Sequence, residues 1–356
     1  MLYALRRLSL GIFLIAAAST VLLLSDQSRS RIDRHVPRIA IVQHVDSTLM
    51  NDGVSGMLAA LASRGYRHGE TITIDRFNAQ GDMATGIAIA SQLTEGGYDV
   101  VITSSTPSMQ AMAKINRDGR VRHVFGLVAD PWIAGVGLDC DQPLVHPAHM
   151  VGHGSFPPVD TAFEYARRML PGLARVGVAW NPAESNSLAF IERGRDAAAR
   201  MGFTLLEANA DTTASVADAV ASLITRDAQA IWVPGDNTIA AAIDSVIATG
   251  RRLGVPIFTV LPGPPDRGTL FDTGFDFVEV GRHTGLLAAD VLEGADLARI
   301  PILDVGNIVE PYLSINVTVL DELKDAWRIP DDLLKSATVL VDARGVQRRE
   351  STSNAR

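Results

Sequence analysis

The chain repeats one unit: a short β-branched strand, a polar turn at its end, and a helix that starts from that turn. In Asp99–Ala113, Val100–Ile102 is an apolar run short enough for a buried strand, followed by the hydroxyl cluster Thr103–Thr106. Pro107 then enters a pattern with Met109, Met112 and Ala113 on one helical face. The spacing predicts Thr106 as N-cap and Pro107 as the first helical residue, where a missing N–H costs nothing. A second unit is Val176–Trp180, then Asn181–Ser187, then a helix from Leu188. A third is Ala230–Val233, then Pro234–Thr238, then a helix carrying Ile239, Ile243 and Val246, with Asn237 as its expected N-cap. Strands alternating with helices imply an α/β chain with parallel sheets. In such sheets ligands sit at the carboxyl ends of strands, and free N–H groups at a helix start favour an anion such as a carboxylate. One such turn is also what an ordinary strand-to-helix connection looks like; three of them point to two lobes that face their turns toward each other.

Composition narrows the function classes. With 356 residues, 47% hydrophobic and 20% charged, the chain is long enough for two domains. A formal net charge of −8 argues against nucleic acid as a partner, since phosphate binding needs a basic surface. A single cysteine, Cys140, excludes an internal disulfide and a cysteine-clustered zinc site. At the N-terminus, Arg6-Arg7 precedes an apolar run from Leu8 to Leu24 and then polar residues. A basic region before an apolar one is an export signal. Two readings stay open for residues 1–35: a cleaved signal, with Ala16-Ala17-Ala18 offering a cleavage site, or an uncleaved anchor with a linker. Either puts the remainder outside the cytoplasm, and no cysteine follows the run to carry a lipid.

Taken in order, strands are expected at Arg38–Val42, Ile72–Ile74, Val100–Ile102 and Val121–Leu127, with helices between them. From Gly135 to Val159 the pattern lapses, which marks a crossover between lobes. A helix at Ala162–Leu170 resumes it. Strands at 176–180, 203–207, 229–233 and 255–260 then alternate with helices at 188–201, 214–226 and 238–252. A strand near Leu270–Phe275 leads into a helix at Gly281–Leu292, and residues 343–356 form a polar tail, expected to be disordered.

No known catalytic or cofactor motif is present. The turn after the first strand reads Gln43-His44-Val45-Asp46 rather than a glycine fingerprint for a dinucleotide. There is no phosphate-binding loop and no G-x-S-x-G elbow. His146, His149 and His153 have the residue type for a metal, but such a run is more often a solvated loop. Asp130, Glu184 and Asp236 suit either acid–base work in a cleft or the pairing of a ligand ammonium. Met109 and Met112 read as core; Trp132, Trp180 and Trp232 read as core or pocket wall. Binding without a cofactor is the reading these residues favour.

The strings Ile41-Val42-Gln43, Asn78-Ala79-Gln80-Gly81-Asp82, Ser105-Thr106-Pro107-Ser108, Asp130-Pro131, Trp180-Asn181-Pro182-Ala183-Glu184-Ser185-Asn186-Ser187, Pro234-Gly235-Asp236-Asn237-Thr238, Gly274-Phe275-Asp276 and Gly281-Arg282 stand in an order and spacing that resembles the ABC-transporter substrate-binding proteins that include tryptophan- and tyrosine-binding components. The resemblance covers about residues 38–340. It implies the type I periplasmic binding-protein fold: two Rossmann-like lobes with parallel sheets joined by a three-stranded hinge. It places lobe 1 at 36–141 and 276–306, and lobe 2 at 142–275 and 307–342. It implies an amino-acid-like ligand in the cleft and an ABC permease in the membrane as partner. By the same resemblance, Ser105, Thr106 and Ser108 hold the ligand carboxylate, while Asn181, Glu184, Asn186 and Ser187 contact the ligand from lobe 2. Asp236 and Asn237 pair an ammonium, and Gln43 and Asp130 line the cleft. Val45-Asp46-Ser47-Thr48 departs from the family's Glu-His-Pro, and Leu138–Gly154 is longer and richer in histidine. These departures bear on the ligand more than on the fold. A ligand-sensing module and an extracytoplasmic enzyme are the alternatives on the same scaffold.

Overall fold

The computed structural model describes Phe13, Ile15, residues 17–20 and residues 36–349. The chain divides into Met1–Pro37 and Arg38–Arg356. Most of the expected export segment, the linker up to residue 35 and the tail from residue 350 lie outside the described residues. Among those described, no helix is long and apolar enough to cross a membrane.

Alternation of side chains along each strand builds the first lobe. Its elements are β1 (Arg38–Gln43), α1 (Thr48–Ser63), β2 (Thr73–Asn78), α2 (Met83–Glu95), β3 (Val100–Ser104), α3 (Thr106–Ile115), β4 (Arg122–Val128) and β5 (Met150–Gly154). Ile39, Ile41, Val100, Ile102 and Val124 point to one face and pack on Met57 and Leu61 of α1. Ala40, Val42 and Val101 point to the other and meet Ala90, Leu93 and Met112 of α2 and α3. Period-two alternation with both faces apolar is what a parallel sheet covered by helices on both sides requires.

The second lobe repeats the plan. Its elements are α4 (Val159–Met169), β6 (Arg175–Trp180), α5 (Ser185–Met201), β7 (Thr204–Asn209), α6 (Val216–Thr225), β8 (Ala230–Val233), α7 (Asn237–Ala241), α8 (Ile243–Arg252), β9 (Ile257–Thr259) and β10 (Phe271–Gly274). One sheet face holds Val176, Val178, Trp232 and Phe258 against Phe163 and Phe190. Phe163 stands edge-on to Trp232 at 4.9 Å, a pairing worth about 0.5–1.5 kcal/mol beyond its burial. The other face holds Ala179, Ile231 and Val233 against Val220 and Val246. After β10 the chain re-enters the first lobe as α9 (Phe277–Leu292) and β11 (Leu303–Asp304). It then returns to the second lobe through β12 (Tyr312–Asn316), α10 (Asp331–Ser336), β13 (Val339–Asp342) and β14 (Gly345–Arg348).

The first sheet has six strands in the order β11-β5-β4-β3-β1-β2; the second has eight, β14-β13-β12-β10-β9-β8-β6-β7. Pairing is parallel except for β10–β12 and β13–β14. The order reverses between β1 and β3 in the first sheet and between β6 and β8 in the second. Those reversals are the switch points where open α/β sheets bind ligands. The chain passes between sheets three times: after Gly154, after Gly274 and after Asp304. The second passage is clamped by close helix contact. A Cβ at Gly56 of α1 would run into the Val278 carbonyl of α9, and one at Gly281 into the Gly53 carbonyl, so glycine lets the two backbones touch.

Three sequence expectations give way here. The first lobe does not end at residue 141, because Met150–Gly154 pairs with β4 as a fifth parallel strand and β11 pairs with it in turn. The tail is not wholly disordered: Gly345–Arg348 adds an antiparallel strand to β13. The expected helix 238–252 is two helices, broken at Ala242 (φ −105°, ψ 17°).

Candidate functional site

In the first lobe the site begins where β3 runs into α3. The N-cap is Ser105, not Thr106: the Ser105 hydroxyl accepts from Ser108 N at 3.5 Å and pairs with the Ser108 hydroxyl at 3.0 Å. Pro107 is therefore the second helical residue, where an N–H is still dispensable. Ser105 has φ 124° and ψ 159°, a region populated essentially by glycine and costing about 1–3 kcal/mol for other residues. Leu127, at φ 54°, sits on the neighbouring strand where the β4–β5 register slips. Ser105, Thr106 and Leu127 all line the cleft. A strained serine thus presents its hydroxyl at a helix start whose first N–H groups lack intrahelical partners.

In the second lobe the N-cap of α7 is Asp236, not Asn237: Asp236 Oδ1 accepts from Ile239 N at 2.9 Å. Its Oδ2 accepts from Asn181 N at 2.7 Å and from the Ser187 hydroxyl at 2.5 Å. Glu184 is tied to the same helix start. It accepts from Asn237 N (3.0 Å), Asn237 Nδ2 (2.6 Å), Thr238 N (3.0 Å), the Thr238 hydroxyl (2.7 Å) and Asn186 Nδ2 (3.2 Å). Asp236 is 1% exposed and Glu184 6%. Burial, with the Glu184 charge beside it, pushes the Asp236 carboxyl up to about 7, against the pull of its three donors. Asn186 Nδ2 also donates to the Gly235 carbonyl at 2.7 Å, which fixes the orientation of the amide and leaves its buried Oδ1 with no partner.

The cleft between these two faces is drawn nearly shut, with about 50 Å³ of free space left in it. Of the expected contacts, Ser105, Thr106, Asn186, Asp236 and Asn237 line it. Ser108, Asn181, Glu184 and Ser187 lie behind that surface as hydrogen-bond partners of its members. Gln43 opens on a different groove, where it donates to Asn51 at 3.1 Å and accepts from Arg76 at 3.2 Å. Asp130 opens on a third and accepts from Trp132 N and Ile133 N. The walls are apolar: Leu49 and Met50 from α1, Phe190 from α5, and Phe275, Phe277 and Val280 along the second passage. Sequence reasoning missed these walls, because a pocket phenylalanine and a core phenylalanine look alike. Trp180 and Trp232 are buried in the second core, and half-buried Trp132 packs on the first lobe, so the tryptophans are not the wall. No lysine, arginine or histidine among the described residues lines the cleft.

The expected histidine group is dispersed into packing roles. His146 faces the Pro147 and Ile300 carbonyls at 3.1 and 3.0 Å, and His153 is half-buried in β5, with its ring driven down to about 4 by desolvation. His44, 6% exposed at the end of β1, is held below the ordinary histidine range by burial, although Glu184 and Asp82 oppose that shift. The lobes are in contact: Leu49 of α1, 4% exposed, belongs to the apolar cluster of the second lobe.

Two doubly wound lobes with facing switch points, crossed three times by the chain, define a two-lobed ligand-binding protein of the type I periplasmic fold. The chain belongs to the ABC transporter substrate binding protein family, whose sequence model matches residues 38–341. It is 28% identical over 311 residues, 87% of each chain, to a tyrosine-binding protein of Clostridioides difficile (strain R20291). A solved conserved domain protein of Vibrio cholerae matches with TM-score 0.78 at 28% identity, over 86% of this chain and 99% of that one. An ABC domain from Streptococcus pneumonia in complex with L-Trp matches at 0.76 and 26% identity, over 85% and 100%. A ligand-free, open substrate-binding protein from Clostridium difficile, also 26% identical, covers 85% of this chain and 98% of its own but superposes at only 0.59. At equal identity the lobes match the ligand-bound arrangement better than the open one, which agrees with Leu49 packing across the cleft.

Proposed function

We propose that the cleft binds an aromatic amino acid, with tryptophan and tyrosine as the first candidates, and that the closed protein hands it to an ABC permease outside the cytoplasm. The observation that carries this reading is the polarity of the two faces. The first lobe offers hydroxyls and a helix N-terminus at Ser105 and Thr106 and no anion. The second offers acceptors, the Asp236 carboxylate and the orphaned Asn186 Oδ1, and no cation. A zwitterion fits that pair of poles, carboxylate to lobe 1 and ammonium to lobe 2, while Phe190, Phe275 and Phe277 take a ring. Asn181, Glu184, Ser187 and Asn237 then act by holding Asp236 and Asn186 in place. The ligands of the C. difficile and S. pneumonia relatives support the same class.

Contact with both lobes makes closure selective, since a ligand stabilises the state that differs in contacts. Binding without turnover follows from a site that has acceptors and donors but no activated nucleophile. Residues 1–35 serve export, as signal or anchor, and the mass of the mature protein separates the two. Titration calorimetry with the twenty amino acids tests the ligand. Micromolar or tighter binding confined to aromatic members is expected; equal heats for aliphatic and aromatic members, or none for any, would reject the reading.

A further inference from the structure

Two buried carboxylates share one helix start in the second lobe. Asp236 caps α7 through Oδ1, Glu184 accepts from the next two residues of the same helix, and Asn186 and Ser187 bind the two acids from one turn of α5. Among the described residues neither acid forms an ion pair with a lysine or arginine. The charged or titratable group facing them from the first lobe is His44, at the end of β1, with Asp82 beyond it. Burial keeps His44 toward its neutral form, so it does not supply the missing charge. The donors around Glu184 number five, whereas Asp236 has three, and a carboxylate offers about four acceptor positions. Asp236 is therefore the member with an unfilled position, and it lines the cleft beside an Asn186 Oδ1 that also lacks a donor. Buried charge without a cation is costly, and one of two neighbouring acids relieves it by taking up a proton.

We propose that, with the lobes closed as here, the Asp236–Glu184 pair carries a proton until the ligand ammonium displaces it, so that binding is an exchange of ligand for a proton released to solvent. This rests on the zwitterion reading above and adds a regulation to it: the protein holds its ligand more loosely as the medium acidifies. The Asp236 carboxyl, raised by burial and by Glu184, places the exchange near neutrality. An ammonium in contact with the pair favours the ionised form and drives the proton off. With the proton gone, Asp236 Oδ1 and Asn186 Oδ1 are both acceptors for the same ammonium.

The test is titration of L-tryptophan and L-tyrosine into the full chain at several pH values, in two buffers of different ionisation enthalpy. The dependence of heat on buffer counts protons. Close to one proton released at pH 6, about half at pH 7 and almost none at pH 8.5 is expected, with affinity falling about tenfold per unit below neutrality. Asp236→Asn should bind more weakly and release none. Glu184→Gln should move the onset of proton release to lower pH, because the like charge is gone. Binding with no proton released at pH 6 overturns the exchange and leaves the ligand assignment standing. Failure of both amino acids to bind overturns the ligand assignment. The proton is then read on the ligand-free protein, by the melting temperature of Asp236→Asn relative to wild type between pH 4 and 8. A difference that moves in favour of the variant as pH rises supports the buried proton, and a constant difference overturns it.

Discussion

The two lobes meet the cleft with the same local device, a strand end running into a helix start at a switch point, and build it in opposite ways. In the first lobe the device is spare and strained: Ser105 is forced to φ 124° and is backed by Ser108. In the second it is over-determined, with Asp236 and Glu184 receiving eight hydrogen bonds between them. The difference teaches that one face keeps donors in reserve for an anion, while the other is a prebuilt plate of acceptors that keeps its shape without ligand.

The sharpest way to break that comparison is Asp236→Ala. It removes a cap and orphans Asn181 N and the Ser187 hydroxyl, so unfolding in denaturant should show a loss of about 3 kcal/mol. Affinity for L-tryptophan should fall at least tenfold, as for a lost charge-assisted bond. Next in size is Gly281→Ala, which drives a methyl into the α1 backbone beside the second passage and should cost about 2 kcal/mol. A melting temperature within a degree of wild type would show that α9 shifts freely and is no clamp.

The lobes also differ in the sign of their pH dependence. In the first, His123 and His153 are kept neutral by burial, down to about 3 and about 4. The unfolded chain binds more protons than the fold below about 6.5, so stability is lost as pH falls from there toward 4 and 3. In the second, Asp236 is raised to about 7, so the fold binds the extra proton; that stability is present below about 3.8 and lost as pH rises to 7. The opposing slopes, each about 1.4 kcal/mol per pH unit, partly cancel between pH 4 and 6.5. Asp236→Asn should therefore lose stability more steeply with acid than wild type, as followed by melting temperature.

The smallest expected effect sharpens the comparison from the other side. Ser105→Gly relieves the positive φ and gives up a cap that glycine replaces at a cost of only a few tenths of a kcal/mol, so stability should rise by about 1 kcal/mol. Binding should weaken nevertheless, because the hydroxyl is gone. Gain of stability with loss of affinity in lobe 1, against loss of both in lobe 2, is the signature of the two constructions.

The alternation of strands and helices was legible because both faces of each central strand are apolar and the turns are polar. β5 was not: Met150-Val151-Gly152-His153-Gly154 has two glycines, and Gly152 is there because a side chain would collide with Phe125. β14 was hidden by its polar Gly345-Val346-Gln347-Arg348, as expected for an edge strand. At the site, residue types were readable and roles were displaced by one position. Ser104, Ser105 and Thr106 are all capable caps, and only the backbone decides among them; likewise Asp236 and Asn237. Which polar groups reach the cleft and which stand behind it depends on side-chain direction across two lobes, which no local pattern encodes.

The central claim is that the poles of the ligand are divided between the lobes, and calorimetry with L-tryptophan, tryptamine and indole-3-propionate against wild type, Ser105→Gly and Asp236→Asn tests it most directly. Both single-pole analogues should bind wild type at least tenfold more weakly than the amino acid. The Ser105→Gly penalty should vanish for tryptamine, which has no carboxylate, and the Asp236→Asn penalty should vanish for indole-3-propionate, which has no ammonium. Equal penalties of each substitution for all three ligands would contradict the account.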